Sequence, residues 1–412
     1  MKILFVSRWF PFPPDSGSKK RIYHLIKALA ETHTVDLISF TNTENTLPVS
    51  NHQIQSICRR VDTISYKPYK PYRFKALVGF LSRKPRFLVD TYQPEMAKLI
   101  ATSQKAENYD LVIGTQIDMA PYIQPLQVTA RLFEEIEIGN YIDRLSQQKG
   151  IIDPIRNRLT WWKLSEYLQS LLNSSEGMTT VSGKERQYLT EISPAFKNVR
   201  VIPNGVDLDI MPKEDAIPLP NHLIFAGALT YQANFDAVNY FLSDIFPLIL
   251  EEKPETKFYV TGNLNGVNLS RLPQRPGVVF TGYLQDISSS VARSWVSVVP
   301  LRIGGGTRIK ILESLGIGTP VVTTSKGIEG LDLILDRDIL VADTPASFAK
   351  QVLKVLNDAA LRNTLSKAGR KQVQENYDWN KIGADFREYV EELGSHKTPF
   401  AQTQSLSYFV SK

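Results

Sequence analysis

The chain of 412 residues has a single cysteine, Cys58, and only five histidines, at positions 24, 33, 52, 222 and 396. One cysteine excludes an internal disulfide and the common cysteine-rich zinc sites, and it fits a reducing, cytoplasmic compartment. The histidines have no ligand spacing. No run of 18 apolar residues occurs, so no transmembrane helix is expected. The first residues, MKILFVSRWFPF, hold too short an apolar core for a signal peptide, and Arg8 interrupts it; they read as a first strand. The chain also lacks G-x-G-x-x-G and the phosphate-loop pattern ending G-K-[ST], which removes the main support for a dinucleotide or P-loop site. Asp207 with Asp209, and Asp336 with Asp338, have the spacing of a metal clamp, but one pair follows a turn and the other sits in a polar loop. No metal site is expected.

Lys and Arg number 48 against 42 Asp and Glu, a net charge of +6. Without a nucleic-acid motif, that excess suits phosphorylated substrates or anionic lipid. The length suits two domains of roughly 200 residues.

The stretch Val298 to Val322, VVPLRIGGGTRIKILESLGIGTPVV, has the order strand, glycine turn, helix. Apolar β-branched residues stop at Gly304, Gly305 and Gly306; Thr307 is placed to cap the helix TRIKILESL, whose Ile309, Ile311, Leu312 and Leu315 supply a packing face. Glycines there let backbone approach a ligand closely, and the helix N-terminus offers unpaired N–H groups to an anion. Arg302, Arg308 and Lys310 add positive charge. Glu313 lies about two helical turns beyond the glycines, beside Lys310. Phosphate donors at one end and a carboxylate two turns along suit a nucleoside diphosphate, with Glu313 accepting both ribose hydroxyls. The competing reading is a plain βα turn with an exposed Lys310–Glu313 pair. Three glycines flanked by cations are expensive for that, at roughly 0.5–1 kcal/mol each.

This segment resembles the donor-binding signature of the retaining glycosyltransferases of family four, which have the GT-B fold. Their pattern is a Glu, seven residues, then a second Glu in a run ending LEAxAxGTPVV; Glu313 in ILESLGIGTPVV matches the second. Gly305 stands at the first, which places the chain with the branch reading GGGTRxKxLE, sugar transferases of bacterial exopolysaccharide clusters among them. The resemblance implies an α/β GT-B architecture: two Rossmann-like, doubly wound parallel-sheet domains facing a cleft. The expected division is a first domain over 1–205, a linker over 206–221, a donor-binding domain over 222–376, a helix over 377–394 that crosses back, and a disordered tail over 395–412.

Along the chain, Lys2 to Ser7 and Val35 to Phe40 read as strands, with a helix from about Lys19 to Glu31 between them. Ser16, Gly17 and Ser18 before that helix form a second candidate anion site, equally readable as a cap with a basic turn. Arg59 to Arg86 interleaves Lys and Arg with Tyr and Phe; it fits an anionic bilayer, or a solvated loop and helix. Leu111 to Gly114 and Arg131 to Ile136 are further strands, the second carrying Glu134 and Glu135 near its carboxyl end, where an α/β sheet faces its ligand crevice. The family has a histidine or aspartate there, close to the reacting sugar; Glu135 is the match, with Glu134 the alternate, and a surface acidic cluster is the competing reading. VIPNGVD, with Asn204-Gly205 as its turn, matches the family's domain crossing. Gly227 stands where the family writes G-R-L; its arginine and lysine are replaced by Ala228 and by Ala233 or Asn234, so Arg308 and Lys310 take over the diphosphate.

The expected function is transfer of a sugar, with retention and without a metal, from a nucleotide-diphosphate sugar to a glycan or polyprenyl-linked acceptor, in exopolysaccharide or other cell-surface glycan synthesis. The donor is a co-substrate and no further cofactor is implied; peripheral contact with an anionic membrane is expected and nucleic acid is not. A nucleotide-sugar 2-epimerase of the same fold and a non-catalytic nucleotide-binding scaffold are the alternatives.

Overall fold

A computed structural model of the chain describes residues 1–42, 52–139, 142, 152–209, 217–304 and 306–395. The first domain runs β1 (Lys2–Ser7), α1 (Gly17–Ala30), β2 (Thr34–Thr41), α2 (His52–Ile57), β3 (Arg60–Ser65), α3 (Phe74–Val78), α4 (Arg86–Thr91), α5 (Pro94–Glu107), β4 (Leu111–Thr115), α6 (Gln116–Ile123), β5 (Ala130–Glu134), α7 (Ile152–Leu172), β6 (Gly177–Thr180), α8 (Gly183–Ile192) and β7 (Val199–Val201). Its seven parallel strands stand in the order β3-β2-β1-β4-β5-β6-β7.

The second domain runs β8 (Leu219–Ala226), α9 (Gln232–Tyr240), a π turn (Phe241–Ile245), α10 (Phe246–Glu252), β9 (Lys257–Thr261), β10 (Val278–Gly282), α11 (Ile287–Arg293), β11 (Ser294–Val299), α12 (Ile309–Ile317), β12 (Val321–Thr323), α13 (Ser325–Ile328), β13 (Leu340–Val341), α14 (Pro345–Asn357) and α15 (Ala359–Asn376). Six parallel strands repeat the same pattern, β10-β9-β8-β11-β12-β13. These are two doubly wound sheets in a GT-B arrangement. β8 begins at Leu219, inside the stretch read as linker; residues 210–216 of that stretch, and the tail from 396, lie outside the described residues.

Strands covered on both faces need no polar alternation. In β1, Ile3, Leu4, Phe5 and Val6 are all fully buried. Helix α1 lays Ile22, Leu25, Ile26 and Leu29 on the sheet, at the spacing of one helical face. The last helix, α16 (Trp379–Ser395), packs on α1 of the first domain, where a Cβ on Gly383 would come within 2.7 Å of the Ala28 Cβ. The Tyr389 hydroxyl donates to the Asn198 carbonyl at 2.9 Å. Both crossings between domains meet, because the Val206 N–H donates to the Tyr377 carbonyl (2.8 Å) and the Trp379 N–H to the Val206 carbonyl (3.1 Å).

Candidate functional site

In each sheet the strand order reverses between two neighbours, β1 and β4 in the first, β8 and β11 in the second. Ligands of such sheets bind outside the carboxyl ends of those strands. Gly17 follows β1, Gln116 follows β4, Gly227 follows β8, and Gly304 to Gly306 follow β11, so the two switch points contribute to one cleft. Helix N-termini meet across it: a Cβ on Gly17, the first residue of α1, would sit 2.9 Å from the Ile309 Cδ1 at the start of α12.

On the second-domain wall, Gly304 (φ +106°) and Gly306 (φ +77°) hold left-handed backbone that disfavours side chains, and Gly305 lies outside the described residues. Arg308, 6% exposed, folds back on this turn: its Nη1 and Nη2 donate to the Gly306 and Gly304 carbonyls at 2.6 and 2.7 Å. The helix starts one residue later than the sequence indicated. Arg308, not Thr307, is its N-cap, with no side chain capping it, because the Thr307 hydroxyl instead accepts from Asn204 Nδ2 of the domain crossing (3.0 Å). That leaves the first N–H groups of α12 uncapped by side chains.

Lys310, the second residue of the helix, donates to Asn234 Oδ1 at 2.7 Å and lies 4.2 Å from the Phe225 ring centroid. Gly227 makes room for it; a Cβ there would lie 2.6 Å from the Lys310 ammonium. Burial and the nearby Arg308 charge lower this lysine to about 7. Glu313 sits a turn further and accepts from Lys20 Nζ of α1 at 2.6 Å. Lys20, Lys310 and Glu313 line a cavity of about 280 Å³ closed by His24, Ile287 and Trp379. Burial lowers His24 to about 4, and its ring stacks on Trp379 at 4.9 Å. The donor candidates Gly227, Lys310 and Glu313 thus share one region. Arg302 is not with them: its guanidinium forks onto Asp236 of α9 (3.1 and 2.6 Å) and lies over the Tyr240 ring.

The first-domain wall separates the two glutamates that sequence had left as alternates. Glu134, fully buried, is neutralised by Arg21 of α1, whose Nε and Nη2 reach its Oε1 at 2.6 and 2.5 Å. The same guanidinium donates to the Pro203 carbonyl (3.0 Å) and Asn204 Oδ1 (3.1 Å). Asn204 therefore ties Arg21 to Thr307. Glu135 forms no ion pair among the described residues. Its Oε2 accepts from Gln116 Nε2 at 3.2 Å, its N–H donates to Thr179 Oγ1 at 3.1 Å, and burial with the adjacent Glu134 charge raises its carboxyl well above the ordinary range. Both Glu135 (φ +55°) and Gln116 (φ +63°) hold left-handed backbone that costs a non-glycine residue roughly 1–3 kcal/mol, a strain that collects at functional sites. Glu137 faces the glycine turn, 3.7 Å from where a Gly306 Cβ would stand, and burial and Glu185 raise its carboxyl too. Sequence reading missed Gln116 and the role of Arg21. A polar residue closing an apolar strand was the visible signal for the first; the second had none, since Arg21 reads as one cation among three in KKR.

Residues 220–358 match the family model described as glycosyl transferases group 1. A 44.6 kDa protein of the cps region of Klebsiella pneumoniae is 21% identical over 397 residues, 92% of this chain and 97% of that one. Among solved structures, sucrose-phosphate synthase from Thermosynechococcus elongatus superposes with a TM-score of 0.69 at 17% identity, over 95% of this chain and 99% of that one. Anabaena HepE in complex with UDP and glucose gives 0.64 at 14% identity, over 95% and 100%. The group 1 glycosyltransferase match thus falls on the second domain, and the solved structures share the fold of nearly the whole chain.

Proposed function

We propose that the protein moves a sugar from a nucleotide-diphosphate sugar to a glycan or polyprenyl-linked acceptor, with retention and without a metal, in the synthesis of a capsular or other cell-surface polysaccharide. The carrying observation is the joint placement of Lys310 in the Gly227–Asn234 recess and of Glu313 in the same cavity. Glu313 accepts the ribose hydroxyls. Lys310, the α12 N-terminus and the glycine turn hold the diphosphate, and their positive potential stabilises charge as it builds on the leaving group. Arg308 acts by holding the turn in shape. Glu135, protonated and supported by Gln116, is the hydrogen-bonding partner of the reacting sugar on the opposite wall. Retention then follows from attack by the acceptor hydroxyl on the face the diphosphate leaves, with the leaving oxygen taking the proton. The cps-region relative and the UDP and glucose held by HepE support a polysaccharide role and a uridine donor.

Calorimetric titration of the metal-free protein with UDP, GDP and ADP tests this. One nucleotide binds in the micromolar range, and Glu313→Ala weakens it at least tenfold, about 1.4 kcal/mol. Unchanged affinity in that variant refutes the ribose assignment. Donor incubated without acceptor stays unepimerised apart from slow hydrolysis.

A further inference from the structure

The segment after β3 emerges at the carboxyl edge of the first sheet, the edge that faces the cleft. Tyr66 anchors it there, its ring 3.1 Å from the Arg8 guanidinium at the end of β1. Beyond it the apolar side chains turn outward: Tyr72 is 88% exposed, Phe74 77% and Leu81 92%. Helix α7 extends the same surface. Lys163 Nζ donates to the Gly79 and Phe80 carbonyls (3.1 and 2.8 Å), fixing the helix beside α3. On its preceding turns Ile155, Leu159 and Trp162, spaced to share one helical face, are also exposed. Large apolar side chains gathered in this way mark an interaction surface.

Charge identifies what covers it. Between Asp62 and Asp90 there is no acidic residue, and seven lysines and arginines occur. Arg73 pairs with Asp90, and Arg86 donates to the Ala76 and Pro71 carbonyls. Lys67, Lys70, Lys75 and Arg83 are exposed around the apolar residues. A protein partner or a second copy needs no such one-sided charge, whereas aromatic and aliphatic side chains ringed by cations match the headgroup layer of an anionic bilayer. Among the described residues no helix is long and apolar enough to cross a membrane, so the contact is with its surface.

We propose that this face, built from the 67–86 segment and the outer side of α7, docks the first domain on anionic lipid and brings the carboxyl edge of its sheet to the headgroups. The docking deepens the polyprenyl-linked acceptor reading, but lipid binding itself is separable from transfer. The full chain is sedimented with vesicles of phosphatidylglycerol and phosphatidylethanolamine, and with phosphatidylcholine alone, without donor or acceptor. Binding is expected to the anionic vesicles, at least tenfold weaker to the neutral ones, and weaker as salt rises. Joint replacement of Lys67, Lys70, Lys75 and Arg83 by alanine is expected to reduce it roughly tenfold or more, and Phe74→Ser with Leu81→Ser to a similar degree; all these side chains are exposed, and thermal melting verifies that the variants fold. Equal binding to both vesicle types, no binding, or unchanged binding in the variants overturns the proposal. So does a dimer that Phe74→Ser with Leu81→Ser dissolves while vesicles are ignored, since the face would then pair two copies. Nucleotide titration of the same samples keeps the outcomes distinct: failed nucleotide binding with intact vesicle binding counts against the transfer reading alone.

Discussion

The two walls of the cleft come from the same topology and carry ionisable groups of opposite kind. Each is the carboxyl end of a parallel sheet at its switch point, yet the first domain presents Glu135 and Glu137 with raised carboxyls, and the second presents Lys310 with a lowered ammonium beside an uncapped helix N-terminus. Burial works against the charged form on both walls. A fold that gathers acids on one side and cations on the other can hold an anionic donor against the second wall while the first meets the sugar with neutral or proton-bearing groups. Within the first wall the contrast sharpens to adjacent residues. Glu134 has a buried cation, while Glu135 has a strained backbone and an amide.

Breaking the paired member has the largest effect. Arg21→Ala strands the Glu134 carboxylate in a site with no exposure and is expected to cost roughly 3–5 kcal/mol in denaturant unfolding. Replacing both members by apolar residues of similar volume is expected to recover most of it. A loss below about 1 kcal/mol for Arg21→Ala would mean the pair contributes little and that Glu134 is as free to serve the site as Glu135.

On the proposed reading, Glu135 governs rate instead. Glu135→Gln keeps the shape but replaces the carboxyl that the reacting sugar would meet, and its contact with Gln116, by an amide. Turnover is expected to fall on the order of tenfold, the size of one lost hydrogen bond to the reacting sugar, with nucleotide affinity and unfolding midpoint nearly unchanged. Activity within threefold of the parent would move the first wall's role to Glu137 or to backbone groups.

How much of this was legible in the sequence follows the same division. The glycine turn, Lys310 and Glu313 lie within one βα unit, so local spacing was enough to place them together. The strand-and-helix alternation was equally local, and both sheets follow from it. Thr307 was misread as a cap because its hydroxyl is claimed by Asn204, more than 100 positions away. The Arg302–Asp236 pair was not foreseen because Asp236 lies on a separate helix. The choice between Glu134 and Glu135 depends on Arg21 and on a φ angle, and neither leaves a mark in the order of residues. Side chains whose partners are distant in sequence escape pattern reading even where the pattern fixes the fold.

On the second wall, pH separates binding from folding. Lys310 titrates near 7 in the folded, ligand-free protein and near its ordinary value when unfolded. A diphosphate favours the charged form, so nucleotide affinity is expected to be flat below pH 7 and to fall by up to about tenfold as pH rises from 7 toward 9. Stability has the opposite slope. From pH 7 to about 10.5 the unfolded chain holds a proton that the folded chain has released, so this residue's contribution to stability rises with pH over that window. Lys310→Met should abolish both slopes together. Nucleotide affinity that keeps its pH dependence in that variant would assign the proton to another group.

The smallest expected effect lies where the walls touch. Lys20 and Glu313 are 37% and 31% exposed, so their ion pair adds at most about 1 kcal/mol to stability, and Lys20→Ala should shift the unfolding midpoint little. Its effect on binding has the opposite sign to that of Glu313→Ala. On the proposed reading Lys20 occupies the carboxylate that the ribose would use, and a donor would have to displace it. Removing the lysine is expected to tighten nucleotide binding two- to fivefold, about 0.4–1 kcal/mol, and high salt should bring the parent toward the variant because an exposed pair is screened. Weaker binding in Lys20→Ala would show instead that the first domain lends this cation to the nucleotide, and the division of charge between the walls would no longer hold at α1.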